Sequence, residues 1–303
     1  MRYADILYSK EDGIARVTID RPEMYNAIRG RTSDEMAAAL EDAAGDESVR
    51  VVVVTGSGPN AFCSGRDQGE DRTTTEYSGT SETDFMELIR QMPKPVIAMV
   101  DGFAIGSGNI LAYMCDFTVA STRSIFGQTG PRVGSPASGF GVGYLAHIVG
   151  QKRAREIWML SQQYPARKAM DMGLVNSVVP HDRLEDEVLR YCNLIKNNSP
   201  VILQLKKITF NEVVQYMEGV PSATERYAPD YLESKEAEER RLAFIERRPI
   251  DPAKNLPLRR TDDDLAAADE WQRVNEFQPN ARWMRSATQW GDSPCGRGFG
   301  SLP

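Results

Sequence analysis

PVIAMVDGFAIGSGNILAYMCD, residues 95–116, changes character at its glycines. The first part, PVIAMVDG, is a continuous apolar run that stops at glycine, the pattern of a strand covered on both faces. Gly106-Ser107-Gly108 then opens a helix-like segment. Glycine placed between a strand and a helix leaves backbone N–H groups pointing outward. FCSGRDQ, residues 62–68, has the same construction. Any strand-to-helix turn can carry glycine, so one such turn says little. Two in this order supply two backbone donors, which is what an oxyanion hole requires.

Working outward, IARVTID (14–20) alternates like a half-buried strand, and VRVVVVTG (49–56) is another apolar run ending in glycine. Between them, TSDEMAAALEDAA (32–44) places Thr32 and Glu35 in capping-box spacing ahead of apolar residues at helical intervals. CDFTVAS (115–121) adds a strand. Helical patterns follow in KRAREIWMLSQ, PARKAMDMG, LEDEVLRYCNLIKN and VILQLKKITFNEVVQYM. The expected class is α/β, with a strand-helix-strand core followed by a helical half.

The chain has 303 residues with 41% hydrophobic composition, enough for one large core with a trailing segment. A net charge of -7 offers no global field to nucleic acid or an anionic membrane. No run approaches the ~18 apolar residues of a membrane span, and the N-terminus has no signal-peptide pattern, so the expected location is the cytoplasm. Cys63, Cys115, Cys192 and Cys295 show no CxxC spacing, and His147 and His181 are the two histidines. Neither disulfide nor metal site is expected. Residues 68–84, QGEDRTTTEYSGTSETD, are polar and aperiodic and read as a surface loop or lid. After Arg247 the composition shifts to proline, aspartate and arginine, with Trp271, Trp283 and Trp290 spread through a polar tail. Three tryptophans suggest a tail that wraps a neighbouring surface.

The two glycine turns, with FGQTGPRVGS, IVGQKRAREIW and DMGLVNSVVP, resemble the crotonase (enoyl-CoA hydratase/isomerase) superfamily across roughly residues 3–250. Within it, FGQTGPRVGS, IVGQKRAREIW, DMGLVNSVVP and CSGRDQ resemble the dihydroxynaphthoyl-CoA synthase branch, whereas NAIRGRTSDEM and VPHDRLEDEV resemble its relative, 2-ketocyclohexanecarboxyl-CoA hydrolase, more closely still. The resemblance implies a spiral of ββα repeats over residues 1–200, a helical trimerisation or crossover region over 201–250, and a tail over 251–303 that packs on a neighbouring surface. It implies homotrimers or homohexamers. It also places the thioester oxygen between the backbone N–H groups of Arg66 and Ser107, with Arg29 and Ser64 toward CoA. The Arg66 guanidinium reaches either CoA phosphate or solvent, and Lys206 or Lys207 is a further phosphate candidate, with ordinary solvated lysines as the default.

Departures from the family pattern then narrow the chemistry. Ordinary hydratases flank the substrate alkene with two glutamates, and this chain has Ile110 and Gly130 at those positions. In GSPASGFG, Ala137 stands where the synthase branch has an aspartate, and Phe140 where the ring-opening relative has a tyrosine. Gln128, Thr129 and Trp158 match a bicarbonate pocket of the synthase branch, although Gln128 as a turn cap and Trp158 as a helix contact is the plainer reading. Ser135 either orients a ketone oxygen or water, or is an ordinary turn residue. Tyr231 matches a C-terminal tyrosine that serves the adjacent subunit's site. Asp67 reads as a turn residue and His147 as structural. The expectation is an acyl-CoA enzyme, with no tightly bound cofactor, that makes or breaks a carbon-carbon bond in a cyclic β-ketoacyl-CoA. Ring-opening hydrolysis is favoured. Naphthoyl-CoA synthesis, hydration or isomerisation, and a noncatalytic CoA-binding scaffold are the alternatives.

Overall fold

A computed structural model describes residues 3–69, 81–136, 140–217, 228 and 230–256. The chain opens with a hairpin, β1 (Ile6–Glu11) and β2 (Ile14–Ile19), followed by helix α1 (Gly30–Gly45). Then come β3 (Val51–Gly56), β4 (Ala61–Cys63) and α2 (Ser81–Gln91); β5 (Val96–Val100), β6 (Phe103–Ile105) and α3 (Ser107–Met114). A third group comprises β7 (Phe117–Ser121), β8 (Ile125–Gly127) and the short α4 (Gly130–Val133). The rest is α5 (Phe140–Val149), α6 (Gln151–Leu160), β9 (Gln163–Pro165), α7 (Ala166–Asp171), β10 (Ser177–Val179), α8 (Leu184–Lys196), α9 (Pro200–Val214) and α10 (Lys235–Ile245).

Three times in succession one strand enters a large sheet, the next enters a small sheet, and a helix follows. The large sheet has the order β1-β2-β3-β5-β7-β10, and the small one β4-β6-β8-β9. These repeats are the ββα turns of the expected crotonase-like spiral. β3 shows why its run of four valines is uninterrupted. Val52 and Val54 face the main core with Met36, Leu40 and Phe85, while Val51 and Val53 face Leu184, Val188 and Ile195 of α8. Alternate residues of a strand point to opposite faces, so a strand covered on both sides needs apolar residues throughout.

The start of α1 differs from the sequence expectation. The helix begins at Gly30, so Thr32 lies inside its first turn rather than at the cap. Thr32 Oγ1 accepts from the Arg29 N–H at 3.3 Å and donates to Asp5 at 2.7 Å. Glu35 accepts from the N–H groups of Ala4 and Asp5 instead. The N-terminal segment passes over this turn and supplies partners that local spacing does not reveal. The polar stretch 68–84 also contains the beginning of α2 at Ser81, and residues 70–80 lie outside the described residues.

The helices of residues 201–250 fold into the same compact unit as the spiral, Met1–Leu256. α10 packs on α4 of its own chain, where Arg240 donates to the Pro131 carbonyl at 3.0 Å. Trp271, Trp283 and Trp290 lie outside the described residues. No helix among the described residues is long and apolar enough to cross a membrane.

Candidate active site

β4, β6 and β8 are neighbours in the small sheet, and all three exit into one cavity of about 900 Å³. Residues 64–69 follow β4, 106–110 follow β6, and 128–135 follow β8. Ser64, Arg66, Ser107, Gln128, Thr129, Ser135 and Trp158 therefore share one lining, although they span nearly a hundred residues of sequence.

The first two exits touch. Gly65 has φ +107°, and a Cβ on it would stand 3.0 Å from the Ile105 carbonyl and 3.6 Å from the Ser107 nitrogen. The second requirement is close approach: a Cβ on Gly108 would lie 2.0 Å from the Cys63 carbonyl. Glycine at both positions lets α3 sit directly on the end of β4. Ser107 is the first residue of α3, so its N–H precedes the intrahelical ladder. Arg66 forms a parallel bridge with Ile28: the Ile28 N–H donates to the Gly65 carbonyl and the Asp67 N–H donates to the Ile28 carbonyl, each at 2.8 Å. In such a bridge the flanking residues make both bonds, and the central residue turns its own N–H away from the partner.

The described residues of the far wall carry no charge. Ile110 lines it and packs against Gly141, where a Cβ would be 3.4 Å away. A side chain at position 130 would meet the Ser135 carbonyl at 3.0 Å and the Trp158 ring at 3.6 Å. The Ser135 carbonyl is the tight neighbour, and the Trp158 ring would lie in ordinary contact. Its indole Nε1–H is buried with no hydrogen-bond partner. Gln128 is fully buried and donates from Nε2 to the Gly106 carbonyl at 3.3 Å, tying the third exit to the second. Glu23 and Asp67 are the carboxylates of the described lining. Glu23 is exposed, and Asp67 accepts from Arg21 and from the Gly69 N–H, both at 2.9 Å.

The mouth is built from parts that sequence reasoning passed over: Met24 and Tyr25 on one side, Phe244, Ile245 and Arg247 of the α10 end on the other. All five are exposed. The one sequence signal for them is an apolar pair, Phe244-Ile245, ending an otherwise charged helix. α10 is held in place by Glu239, whose buried carboxylate accepts from Arg248, Lys254 and the Asp251 N–H. Those contacts hold it well below the ordinary carboxylate range, with the Arg248 hydrogen bond the largest cause.

Other predicted residues lie elsewhere. Phe140 is outside this lining, stacked on Tyr144 and covered by the Arg90 guanidinium at 4.8 Å. Tyr231 also lies outside it, with its hydroxyl 3.5 Å from Glu236. Arg29 makes a two-pronged pair with Asp5 at 2.7 Å, which ties its guanidinium to the N-terminal segment. Lys207 corrects the expectation of a solvated or phosphate-binding lysine. It is buried, and its three N–H groups serve the Ile89 and Lys94 carbonyls and Asp116. The Arg66 side chain is half-buried in the cavity wall. Asp67 is a turn residue, as expected, and also a buried ion-pair partner. His147 stacks on Tyr144, away from this cavity. Ala137 lies outside the described residues.

Comparison with known proteins places this cavity in context. The enoyl-CoA hydratase/isomerase family matches residues 9–253. An enoyl-CoA hydratase from Mycobacterium avium subsp. paratuberculosis K-10 is similar at 28% identity and a TM-score of 0.74, covering 82% of this chain and 99% of that one. A monofunctional enoyl CoA isomerase from M. smegmatis is 30% identical, with a TM-score of 0.61 over 70% of this chain and 94% of its own. A methylmalonyl CoA decarboxylase shares the fold at 22% identity and a TM-score of 0.73, covering 83% of this chain and 98% of its own. With a family match spanning most of its length and the repeated ββα turns, the chain belongs to the enoyl-CoA hydratase/isomerase family of the crotonase superfamily.

Proposed function

We propose that the protein acts on a β-ketoacyl-CoA, holding the thioester oxygen between the N–H groups of Arg66 and Ser107 and breaking the bond between the α and β carbons. The observation that carries this reading is the contact between two glycine turns beside a far wall whose described residues include no carboxylate. Negative charge that develops on the thioester oxygen is stabilised by two fixed dipoles, and losing one such donor costs ~3 kcal/mol. Water addition to an alkene, as in the hydratase from M. avium, calls for carboxylates at the reacting carbons. Ile110 and Gly130 supply none at the two positions where hydratases carry them.

In ring opening, the oxygen of water bonds to the β-ketone carbon, and the bond between the α and β carbons then breaks. Its electron pair becomes the thioester enolate, which the two N–H groups hold, and a proton at the α carbon completes the product. The net change is one water added. Thr129 and Ser135 supply hydroxyls on that side of the cavity, and the buried Trp158 N–H calls for an oxygen acceptor. A ketone oxygen of the acyl ring would meet the Thr129 and Ser135 hydroxyls. A bicarbonate ion is the other candidate, because Gln128, Thr129 and Trp158 line the same cavity, and it would supply a proton acceptor there. Addition of bicarbonate to degassed enzyme then raises turnover, and nitrate competes with it. A rate that does not change leaves the three residues structural.

Naphthoyl-CoA synthesis is the weaker reading, because Ala137 replaces the acid that the resemblance requires. The discriminating experiment is incubation with 2-ketocyclohexanecarboxyl-CoA and o-succinylbenzoyl-CoA, followed by product mass. Gain of water by the first marks ring opening, and loss of water by the second marks condensation. Stabilisation of the protein by both esters with turnover of neither marks a scaffold.

We also propose self-association, as the resemblance implies. Val201, Ile202, Leu205, Phe210 and Val213 on α9 each keep more than half of their surface exposed, which supports an interface there. Sedimentation that returns a monomer mass at micromolar concentration overturns it.

A further inference from the structure

Beside the Arg66 turn lies a buried ion pair that the mechanism above does not use. Arg21 and Asp67 side chains are each 9% exposed, and the guanidinium donates to Asp67 Oδ2 at 2.9 Å. The same guanidinium donates to the Ala27 carbonyl and stands 3.8 Å from Asp5. Arg21 therefore grips both tracks of the small ladder that aims Arg66. Ala27 is the residue before Ile28 on one track, and Asp67 is the residue after Arg66 on the other. The ladder includes the two bonds around Ile28 and the Ser64 N–H to the Tyr25 carbonyl at 3.0 Å. The Arg21 main chain is fixed too, since its N–H donates to Asn26 Oδ1 at 3.0 Å, and Asn26 donates to the Ser57 and Ala61 carbonyls. Asp67 uses its second oxygen to accept from the Gly69 N–H at 2.9 Å, which closes the turn on its far side.

From this geometry we infer that Arg21 and Asp67 are positioning residues for the oxyanion hole: their pair sets the direction of the Arg66 N–H. The inference rests on the hole assignment proposed above. A short parallel bridge can shear by a fraction of an ångström without breaking. A buried fork that spans both tracks resists that shear, because a planar guanidinium loses little freedom on binding and fixes two acceptors at once. An oxyanion donor acts only where the charge develops, so its aim matters more to the transition state than to ground-state binding.

The test uses butyryl-CoA carrying carbon-13 at the thioester carbonyl, bound to the full-length protein and observed by difference infrared spectroscopy. In the wild type, the bound carbonyl band shifts to lower frequency as the two N–H groups polarise it. In Asp67→Asn and Arg21→Lys, most of that shift is lost. Affinity stays within ~3-fold of wild type, because the contacts to CoA bind ground and transition states alike. On any thioester the wild type turns over, kcat falls ~10- to 100-fold with KM nearly unchanged, the scale expected for a misplaced catalytic group. A merely structural pair would lower melting temperature and leave the band of the folded fraction where it was. Where a single variant does not fold, Arg21→Met/Asp67→Leu removes both charges together and leaves none unpaired. A full band shift in any folded variant lacking the pair overturns the inference. Absence of the shift in the wild type overturns the hole assignment and the inference with it.

Discussion

The floor of the cavity presents main-chain groups, whereas its roof presents side chains. On the floor, three strand exits meet at glycines, and the donors in question are the amides of Arg66 and Ser107. The roof is the end of α10, where Phe244, Ile245 and Arg247 face the mouth and Glu239 anchors the helix through Arg248 and Lys254. A backbone floor is indifferent to most substitutions and sensitive to proline. A side-chain roof is the reverse, and it responds to charge and pH. On the proposed function the difference separates chemistry from capture: the floor would set kcat and the roof KM.

The sharpest break in this comparison comes at Ser107. Proline there removes the N–H at the first position of α3, a position where proline is compatible with helix geometry. Ser107→Pro is expected to lower kcat ~10²- to 10³-fold, the loss typical of one oxyanion donor, whereas Ser107→Ala costs less than ~3-fold. Steady-state kinetics on both variants, with circular dichroism to confirm folding, decides it. Equal losses would place the function in the hydroxyl.

Next comes the roof anchor. Glu239→Gln keeps the shape but releases Arg248 and Lys254, so α10 loosens and KM rises ~3- to 5-fold with kcat little altered. Hydrogen exchange of the α10 amides accelerates in step. The native carboxyl lies below its ordinary value of 4.5, so its contribution is complete above that pH and is lost as the pH falls through the depressed value. Melting temperature followed from pH 6 downward therefore falls less steeply in Glu239→Gln than in wild type below about 4.5. Identical acid profiles would remove Glu239 from the roof.

Arg247 is the smallest lever. It is exposed at the mouth, where a CoA phosphate would pass, and surface charge pairs contribute ~0.2–1 kcal/mol. Arg247→Ala should raise KM ~2-fold at low salt, and the effect should vanish as ionic strength screens it. A KM difference that persists at high salt would indicate packing by the side chain's methylenes instead.

Sequence and structure agree where local rules govern. The glycines at 65, 106 and 108 are legible because a tight turn and a close helix-strand approach admit little else. The valine run of β3 is legible because two covered faces require it. Asp67 was only half legible: its bond to the Gly69 N–H is a local turn, but its ion pair with Arg21 spans 46 residues and has no spacing signature. Lys207 looked like a solvated lysine for the same reason, since Ile89, Lys94 and Asp116 come from other turns of the spiral. The roof was least legible. Arg240 and Arg241 of α10 reach the Pro131 and Gln68 carbonyls, partners more than a hundred residues away that no local pattern announces.

The central claim is that backbone amides alone stabilise an enolate on the thioester oxygen. Acetoacetyl-CoA tests it without knowledge of the natural acyl group, because its enolate has its own ultraviolet band and forms in water only at alkaline pH. On titration of the enzyme with acetoacetyl-CoA near neutral pH, the bound ligand should appear as enolate, and Ser107→Pro should bind it as the ketone. Bound ligand that stays ketone in the wild type, at saturating enzyme, would contradict the account.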